Sequence, residues 1–330
     1  MTKANEGTFK KKLLAVAVLA PAMALTACNS DDYTSADPST ISSGVVFDGY
    51  LQNAIVCVDV NQNKKCDAGE PQTTTGAGGV YELTGLTAAQ QRYPLVMVAT
   101  AGTTIDEDTG APVEDDFNYQ APAGGSAISA LTTIVQIERE KLIAAGATPS
   151  EATAQANATV ATALGVSGTD ILNFDAPAVA AENSADSDVA ARLHIVNQIL
   201  TKKIVAAVAS APAGADADNN FSAIYFAAVS NVADLLTETK AAVDEAIPDG
   251  MTAQDLDATT LEEVLTTVDA EITPENVKAN DIADAQEIVE AAQDAIASEI
   301  EEETGETVEP EAPTGSTGGS GAGGGEQGVN

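Results

Sequence analysis

Ala54-Ile55-Val56-Cys57-Val58-Asp59-Val60-Asn61-Gln62-Asn63-Lys64-Lys65-Cys66-Asp67-Ala68-Gly69-Glu70-Pro71-Gln72-Thr73-Thr74-Thr75 is the stretch that decides how the first part of the chain folds. Its opening is an apolar run of strand length, and a polar, Asn-, Asp- and Gly-containing segment then stops the run, as strand and turn chemistry requires. Working outward, Val45, Val46 and Phe47 start an earlier strand, Val80-Tyr81-Glu82-Leu83 alternates, and Leu95-Val96-Met97-Val98 is another apolar run, with Gly and Asn turns between them. Short strands at this spacing predict a small β-sandwich over residues 44–123.

Within the quoted stretch, Asp59, Asn61, Asn63, Asp67 and Glu70 stand at positions 1, 3, 5, 9 and 12 of a twelve-residue loop. That is the spacing of the calcium loops of EF-hands and related sites, in which Lys65 at position 7 lends its carbonyl and Glu70 supplies two oxygens. A hard cation takes six to eight oxygen ligands, and alternate residues of a tight turn aim theirs inward. Lys64 departs from the pattern at position 6, where such loops use Gly for the sharp turn, so a loss of affinity or altered geometry is expected. The same residues also suit a solvated Asx-rich turn without metal. Cys57 and Cys66 form an even pair for one disulfide in an oxidising compartment; the alternative is two buried free thiols.

The compartment is read from the first residues of the sequence. Lys10, Lys11 and Lys12 precede an apolar segment from Leu13 to Leu25, followed by Thr26-Ala27-Cys28. A basic start, about a dozen apolar residues and small residues at a cleavage point predict a secretory signal over residues 1–27, too short to span a membrane. Leu25-Thr26-Ala27-Cys28 resembles the bacterial lipobox, which implies lipidation of Cys28 and anchoring to a membrane; Asn29 in place of Asp implies the outer membrane of a Gram-negative bacterium. Residues 28–43, rich in Ser, Thr and Asp, read as a flexible tether.

Residues 44–101, from Val58-Asp59 through Gly69-Glu70-Pro71 and Thr73-Thr74-Thr75 to Gly79-Val80-Tyr81-Glu82-Leu83-Thr84-Gly85-Leu86, resemble the calcium-stabilised B-repeats of Gram-positive surface adhesins and the transthyretin-like carboxypeptidase-regulatory modules. Gly76 stands where those modules carry Asp. The resemblance implies a spacer or adhesion support and no enzymatic activity. Ser129-Ala130-Leu131-Thr132-Thr133 is similar only to segments of uncharacterised bacterial surface lipoproteins.

From Gly124 the period changes to that of a helix. Ile128, Leu131, Ile134, Val135 and Leu142 share a face, and Pro149-Ser150-Glu151 opens an Ala-rich helix ending near Leu164-Gly165. Helical spacing returns in Val189 to Ile204 and in Ile224 to Leu236, with further helices expected at Ala253 to Val268 and Pro274 to Glu303. Residues 124–303 are thus expected to form an Ala-rich α-helical bundle, and the class is α+β in two modules. A stripe of Ala and Val buries little area, so the last acidic helix is expected to sit loosely. Residues 304–330 are Gly- and Ser-rich and predict a disordered tail.

The chain carries 50 acidic and 14 basic residues, a net charge of −36. Loss of Lys3, Lys10, Lys11, Lys12 and Glu6 with the signal removes a net +3 and leaves −39. Such a field excludes nucleic acid as a partner and suits divalent cations or a basic protein. The one histidine, His194, lies between Leu193 and Ile195 and reads as a core or boundary residue; no G-x-S-x-G elbow or P-loop is present. Asp115-Asp116 and Glu301-Glu302-Glu303 read as solvated surface. The expected function is a non-enzymatic binding or scaffold lipoprotein of the cell envelope, with an envelope protein as partner. The alternative is an accessory or carrier protein for hydrophobic compounds beside an outer-membrane transporter, using an apolar groove in the bundle.

Overall fold

Ile55, Val56, Cys57 and Val58 form a strand with three of the four residues buried, at the centre of a sheet rather than its edge. In this computed structural model, which describes residues 40–182, 184–212 and 220–306, the strands are β1 (Thr40–Val46), β2 (Leu51–Gln52), β3 (Ile55–Val58), β4 (Gln72–Thr74), β5 (Val80–Leu86), β6 (Leu95–Ala99), β7 (Ile105–Asp106), β8 (Ala111–Pro112), β9 (Phe117–Ala121) and β10 (Ala127–Ile128). They make three small sheets, ordered β4-β3-β6-β9, β10-β1-β5 and β2-β7-β8. β5 shows the alternation expected of it, with Tyr81 and Leu83 inward and Val80, Glu82 and Thr84 outward. The expected tether ends earlier than residue 43, because Ser42 and Ser43 pair with Leu83 and Glu82 as part of β1.

Among the described residues eight helices follow, α1 (Ala130–Ala144), α2 (Pro149–Ala163), α3 (Ala176–Ala181), α4 (Ser187–Ser210), α5 (Phe221–Ala233), α6 (Leu236–Ala246), α7 (Ala258–Glu271) and α8 (Ala279–Thr304). The chain is therefore α+β, strand-rich first and helical second. Local chemistry sets the helix ends. Thr148 and Glu151 form a capping box ahead of α2 with Pro149 at its first turn, and the Asp257 side chain accepts from Thr260 N at the start of α7, five residues after the expected start at Ala253. The run Ile224 to Leu236 is broken into α5 and α6 after Ala233. The segment from Pro274 stays non-helical until Lys278, where the Asp281 carboxylate accepts the Lys278 N–H and α8 begins.

The two parts share one core. Val56, Met97 and Tyr119 from the strands and Leu131, Ile134, Val196, Val229 and Ile296 from the helices belong to the same buried apolar cluster. β10 lies parallel to β1, with Val45 opposite Ala127 and Val46 opposite Ile128, so the helical part supplies a strand to the first sheet. β9 is an edge strand whose free backbone groups at Gln120 are taken by α1: Thr133 Oγ1 accepts from Gln120 N (2.8 Å) and Thr132 Oγ1 donates to Gln120 O (2.8 Å), and Tyr225 of α5 donates to Asn118 O. An edge sealed by side chains is closed to further strand pairing. The segment Ser129-Ala130-Leu131-Thr132-Thr133 thus has a physical role, with Ser129 capping α1 and the two threonines binding the strand.

The expectation of a loose last helix is overturned. Ala285, Val289, Ala292, Ile296 and Ile300 of α8 are buried against α5 and α1. A helix with many small apolar contacts on one face docks well when its partners offer a complementary groove, even though each contact is small. The signal segment, Cys28 and the tether up to residue 39 lie outside the described residues, as does the expected disordered tail from residue 307 onward.

Candidate functional site

β3 and β4 are antiparallel neighbours, and the loop from Asp59 to Glu70 connects them. Cys57, opposite Gln72 on β4 and Val96 on β6, is disulfide-bonded to Cys66 with 5.6 Å between the Cα atoms. The bridge ties the loop's eighth position to the strand that precedes it. Closing a loop of this size restricts the unfolded chain by roughly 2–3 kcal/mol.

Inside the loop the oxygen side chains organise the backbone. Asp59 Oδ1 accepts from Asn63 N (3.0 Å) and its Oδ2 from Lys64 N (2.9 Å). Asn61 Oδ1 accepts from Asn63 N (3.0 Å), and Asn63 Oδ1 from Lys65 N (2.9 Å). Glu70 reaches back across the loop: Oε1 accepts from Val60 N (2.9 Å) and Oε2 from Asp67 N (2.9 Å). Asp67 Oδ2 accepts from both amides, Asn61 Nδ2 at 2.7 Å and Asn63 Nδ2 at 2.6 Å. The Lys65 carbonyl oxygen lies 3.8 Å from Cys57 Sγ. All six residues expected as ligands therefore sit in one closed turn.

Two of the carboxylates are short of positive charge. Burial pushes the Asp59 carboxyl up to about 8, and the neighbouring Glu70 charge pushes the same way against the Lys64 and Asn63 N–H groups and the Lys64 ammonium. Burial likewise raises Glu70, against the N–H groups of Asp67, Asn61 and Val60. A buried Asp59 carboxylate beside a half-buried Glu70 fits a hard cation, which would relieve both the desolvation and the repulsion. Among the described residues no group of three or more His, Cys, Asp or Glu side chains is arranged to hold a metal. In the loop the carboxylate oxygens instead bond to its own amides and N–H groups.

Lys64, the departure from the calcium-loop pattern, resolves into a specific contact. It takes φ 66°, the left-handed conformation for which position 6 favours Gly. The residue is 2% exposed, and Nζ lies 2.6 and 2.7 Å from the two carboxylate oxygens of Glu140 on α1, which is 6% exposed. Gln136 Nε2 donates to the same carboxylate at 2.7 Å. Around this anchor Asn118 Nδ2 of β9 donates to Lys64 O (2.9 Å), Gln293 Nε2 of α8 donates to Gln62 O (2.8 Å), and Lys65 Nζ stands 4.6 Å from the Phe221 ring centroid of α5. The loop is a junction among β9, α1, α5 and α8. Sequence reasoning missed this role of Lys64 and Glu140; the one signal was a lysine where a loop of this kind favours glycine.

His194 on α4 is half-buried, with Nε2 2.5 Å from the Asp48 carbonyl oxygen and 3.1 Å from Asp108 Oδ2. Burial opposes its charged form, but the Asp108 carboxylate and the Asp48 carbonyl outweigh that and raise its pKa. Thr201 donates to Asp48 Oδ1 (2.7 Å) and Asn197 Nδ2 to the same oxygen (3.2 Å). Asp48 also borders a cleft of about 620 Å³ in which Val205, Ala206 and Ala209 of α4 face Pro112, Val113 and Phe117. Among the described residues no helix is long and apolar enough to cross a membrane. Comparison with protein-family models, with curated proteins and with solved structures finds no match for the chain.

Proposed function

We propose that the chain is a non-enzymatic cell-envelope lipoprotein, anchored through Cys28 to the outer membrane of a Gram-negative bacterium, whose calcium- and disulfide-stapled loop braces a helical part that binds an envelope protein. The observation that carries this reading is the Lys64–Glu140 contact: the one residue of the loop that departs from the calcium pattern joins the strands to α1, as a structural brace does. The commitment of His194 to Asp48 and Asp108 supports a structural role for the residue best suited to acid–base work. Calcium would be held by Asp59, Asn61, Asn63, Asp67 and Glu70 with the Lys65 carbonyl, and would supply the positive charge that the buried carboxylates lack. Thermal melts with calcium and with chelator test the metal, and Asp59→Ala should abolish the difference; equal melts for the unsubstituted chain refute it. Cys28→Ala should release the protein from the membrane fraction, and unchanged retention refutes the anchor.

The cleft along α4 favours a second reading, a carrier for small hydrophobic compounds. Its apolar wall of Val205, Ala206, Ala209, Val113 and Phe117 suits an aliphatic or aromatic ligand. Lipid or hydrocarbon co-purifying with the protein in extracts analysed by mass spectrometry is the expected result, and a clean spectrum refutes it.

A further inference from the structure

Arg92, Arg139 and Arg192 are the chain's three arginines, and two of them, Arg92 and Arg139, line one cavity of about 580 Å³. Arg139 on α1 is 4% exposed. Its Nε donates to Thr153 Oγ1 on α2 (2.8 Å), but Nη1 is buried with no hydrogen-bond partner. Among the described residues no carboxylate lies within ion-pair distance of this guanidinium, although the chain carries 50 acidic residues. A buried charge without a paired carboxylate is a cost that folded proteins normally avoid. Burial lowers the Arg139 pKa, while the more distant charges of Glu140 and Glu299 act the other way.

The rest of the cavity states what would pair with it. Arg92 stands at the exposed side, ion-paired to Glu303. Ser150, the second residue of α2, borders the same space; Pro149 before it has no N–H and the Glu151 N–H is held by the Thr148 hydroxyl. Ala154 and Leu172 supply apolar wall. Asp170 and Glu299 also line it, and with a net charge of −36 they disfavour a ligand carrying two or more negative charges. Nε is taken by Thr153, so the two terminal nitrogens of the guanidinium are the donors left to meet a planar carboxylate through N–H···O bonds. We propose that this cavity is a binding site for a small monocarboxylate, held by Arg139 with Arg92 at the entrance and its organic part against Ala154 and Leu172.

Thermal melts of the full chain are recorded against sodium propionate and sodium benzoate, with sodium chloride and sodium phosphate at matched ionic strength. A saturable rise in melting temperature with the carboxylates, absent with chloride and smaller with phosphate, is expected. Arg139→Lys should weaken the response about tenfold or more, since the bidentate bond is lost. Arg139→Met should melt above the unsubstituted chain when no probe is present and show no response to the carboxylates. No saturable response in the unsubstituted chain overturns the proposal, as does an Arg139→Met variant that responds normally or melts lower, which would make the guanidinium a structural group. A stronger response to phosphate overturns the assignment to a monocarboxylate.

Discussion

Replacing Glu140 by Gln tests whether the loop is joined to the helices as the geometry implies. Nζ of Lys64 lies 2.6 and 2.7 Å from the two Glu140 oxygens, and both residues are nearly inaccessible at 2% and 6% exposure. At an effective dielectric of about 20, unit charges at this distance attract by roughly 6 kcal/mol, most of it offset by the desolvation of both groups. Removing only one partner leaves the desolvation of the other uncompensated. An amide in place of the Glu140 carboxylate would present one acceptor and set an NH₂ group beside the donors Lys64 Nζ and Gln136 Nε2. The expected loss is about 3–5 kcal/mol, which for a chain of this size lowers the melting temperature by on the order of 10 °C. The assay is chemical and thermal unfolding in chelator, so that metal does not mask the effect. Lys64→Met combined with Glu140→Met removes both charges and should recover most of the loss, whereas Lys64→Gly should relieve about 1 kcal/mol of left-handed strain and still destabilise by stranding Glu140. A Glu140→Gln variant within about 0.5 kcal/mol of the unsubstituted chain, or two single losses that simply add in the double variant, refutes the reasoning.

Replacing both Cys57 and Cys66 by Ser should cost about 2–3 kcal/mol by unfolding under oxidising conditions, with equal stability counting against a stapling role. Asp48→Asn should alter the pH dependence in a defined direction. The Asp48 carboxyl is raised from 3.8 to about 6, chiefly by burial and partly by the Asp106 charge, with the Thr201 hydroxyl opposing. Its contribution is therefore fully present below pH 3.8 and is lost as the pH rises to about 6. The unsubstituted chain should lose on the order of 3 kcal/mol relative to Asp48→Asn between those limits, measured from denaturant midpoints, and a constant difference would contradict the assignment. Gly79→Ala and Gly85→Ala separate strain from collision: both have positive φ, but an added Cβ at Gly79 would meet Val46 O at 2.1 Å, while at Gly85 nothing lies within 4 Å. Gly85→Ala should cost about 1 kcal/mol and Gly79→Ala clearly more, as read by melting temperature.

The strands beginning at Ile55, Val80 and Leu95 were legible because apolar runs and alternation are local signals, each bounded by turn residues, whereas the run Val45-Val46-Phe47 marked the end of β1 and not its start, since its Ser- and Thr-rich first half carries no apolar signal. β9 was missed although Phe117, Tyr119 and Ala121 alternate with Asn118 and Gln120 in the period of a strand; the Asn118 side chain bonds Lys64 O, while the threonines of α1 hold the main chain of Gln120. β2, β7 and β8 have two residues each, too few to show a period. The break after Ala233 carries no Gly or Pro, so the helix from Ile224 reads as continuous through Leu236. In the loop, the residue set was readable from spacing and the Cys57–Cys66 pairing from these two being the cysteines left once Cys28 is set aside, whereas the Lys64 contact was not. Arg139 and Glu140 are buried within the run of four charged residues Glu138-Arg139-Glu140-Lys141, and no local pattern singles them out.

Sequence alone determined the α+β order, the chain positions of the main strands and helices, the oxygen-rich turn and its cysteine pair, because each depends on residues within about a dozen positions of one another. Tertiary structure alone decided that the strands and helices share one core, that α8 docks firmly, and that Lys64 reaches Glu140, 76 residues away. The physical reason is burial: a charge's role depends on how far packing removes it from water and which partner packing brings to it, and neither quantity is local to the chain.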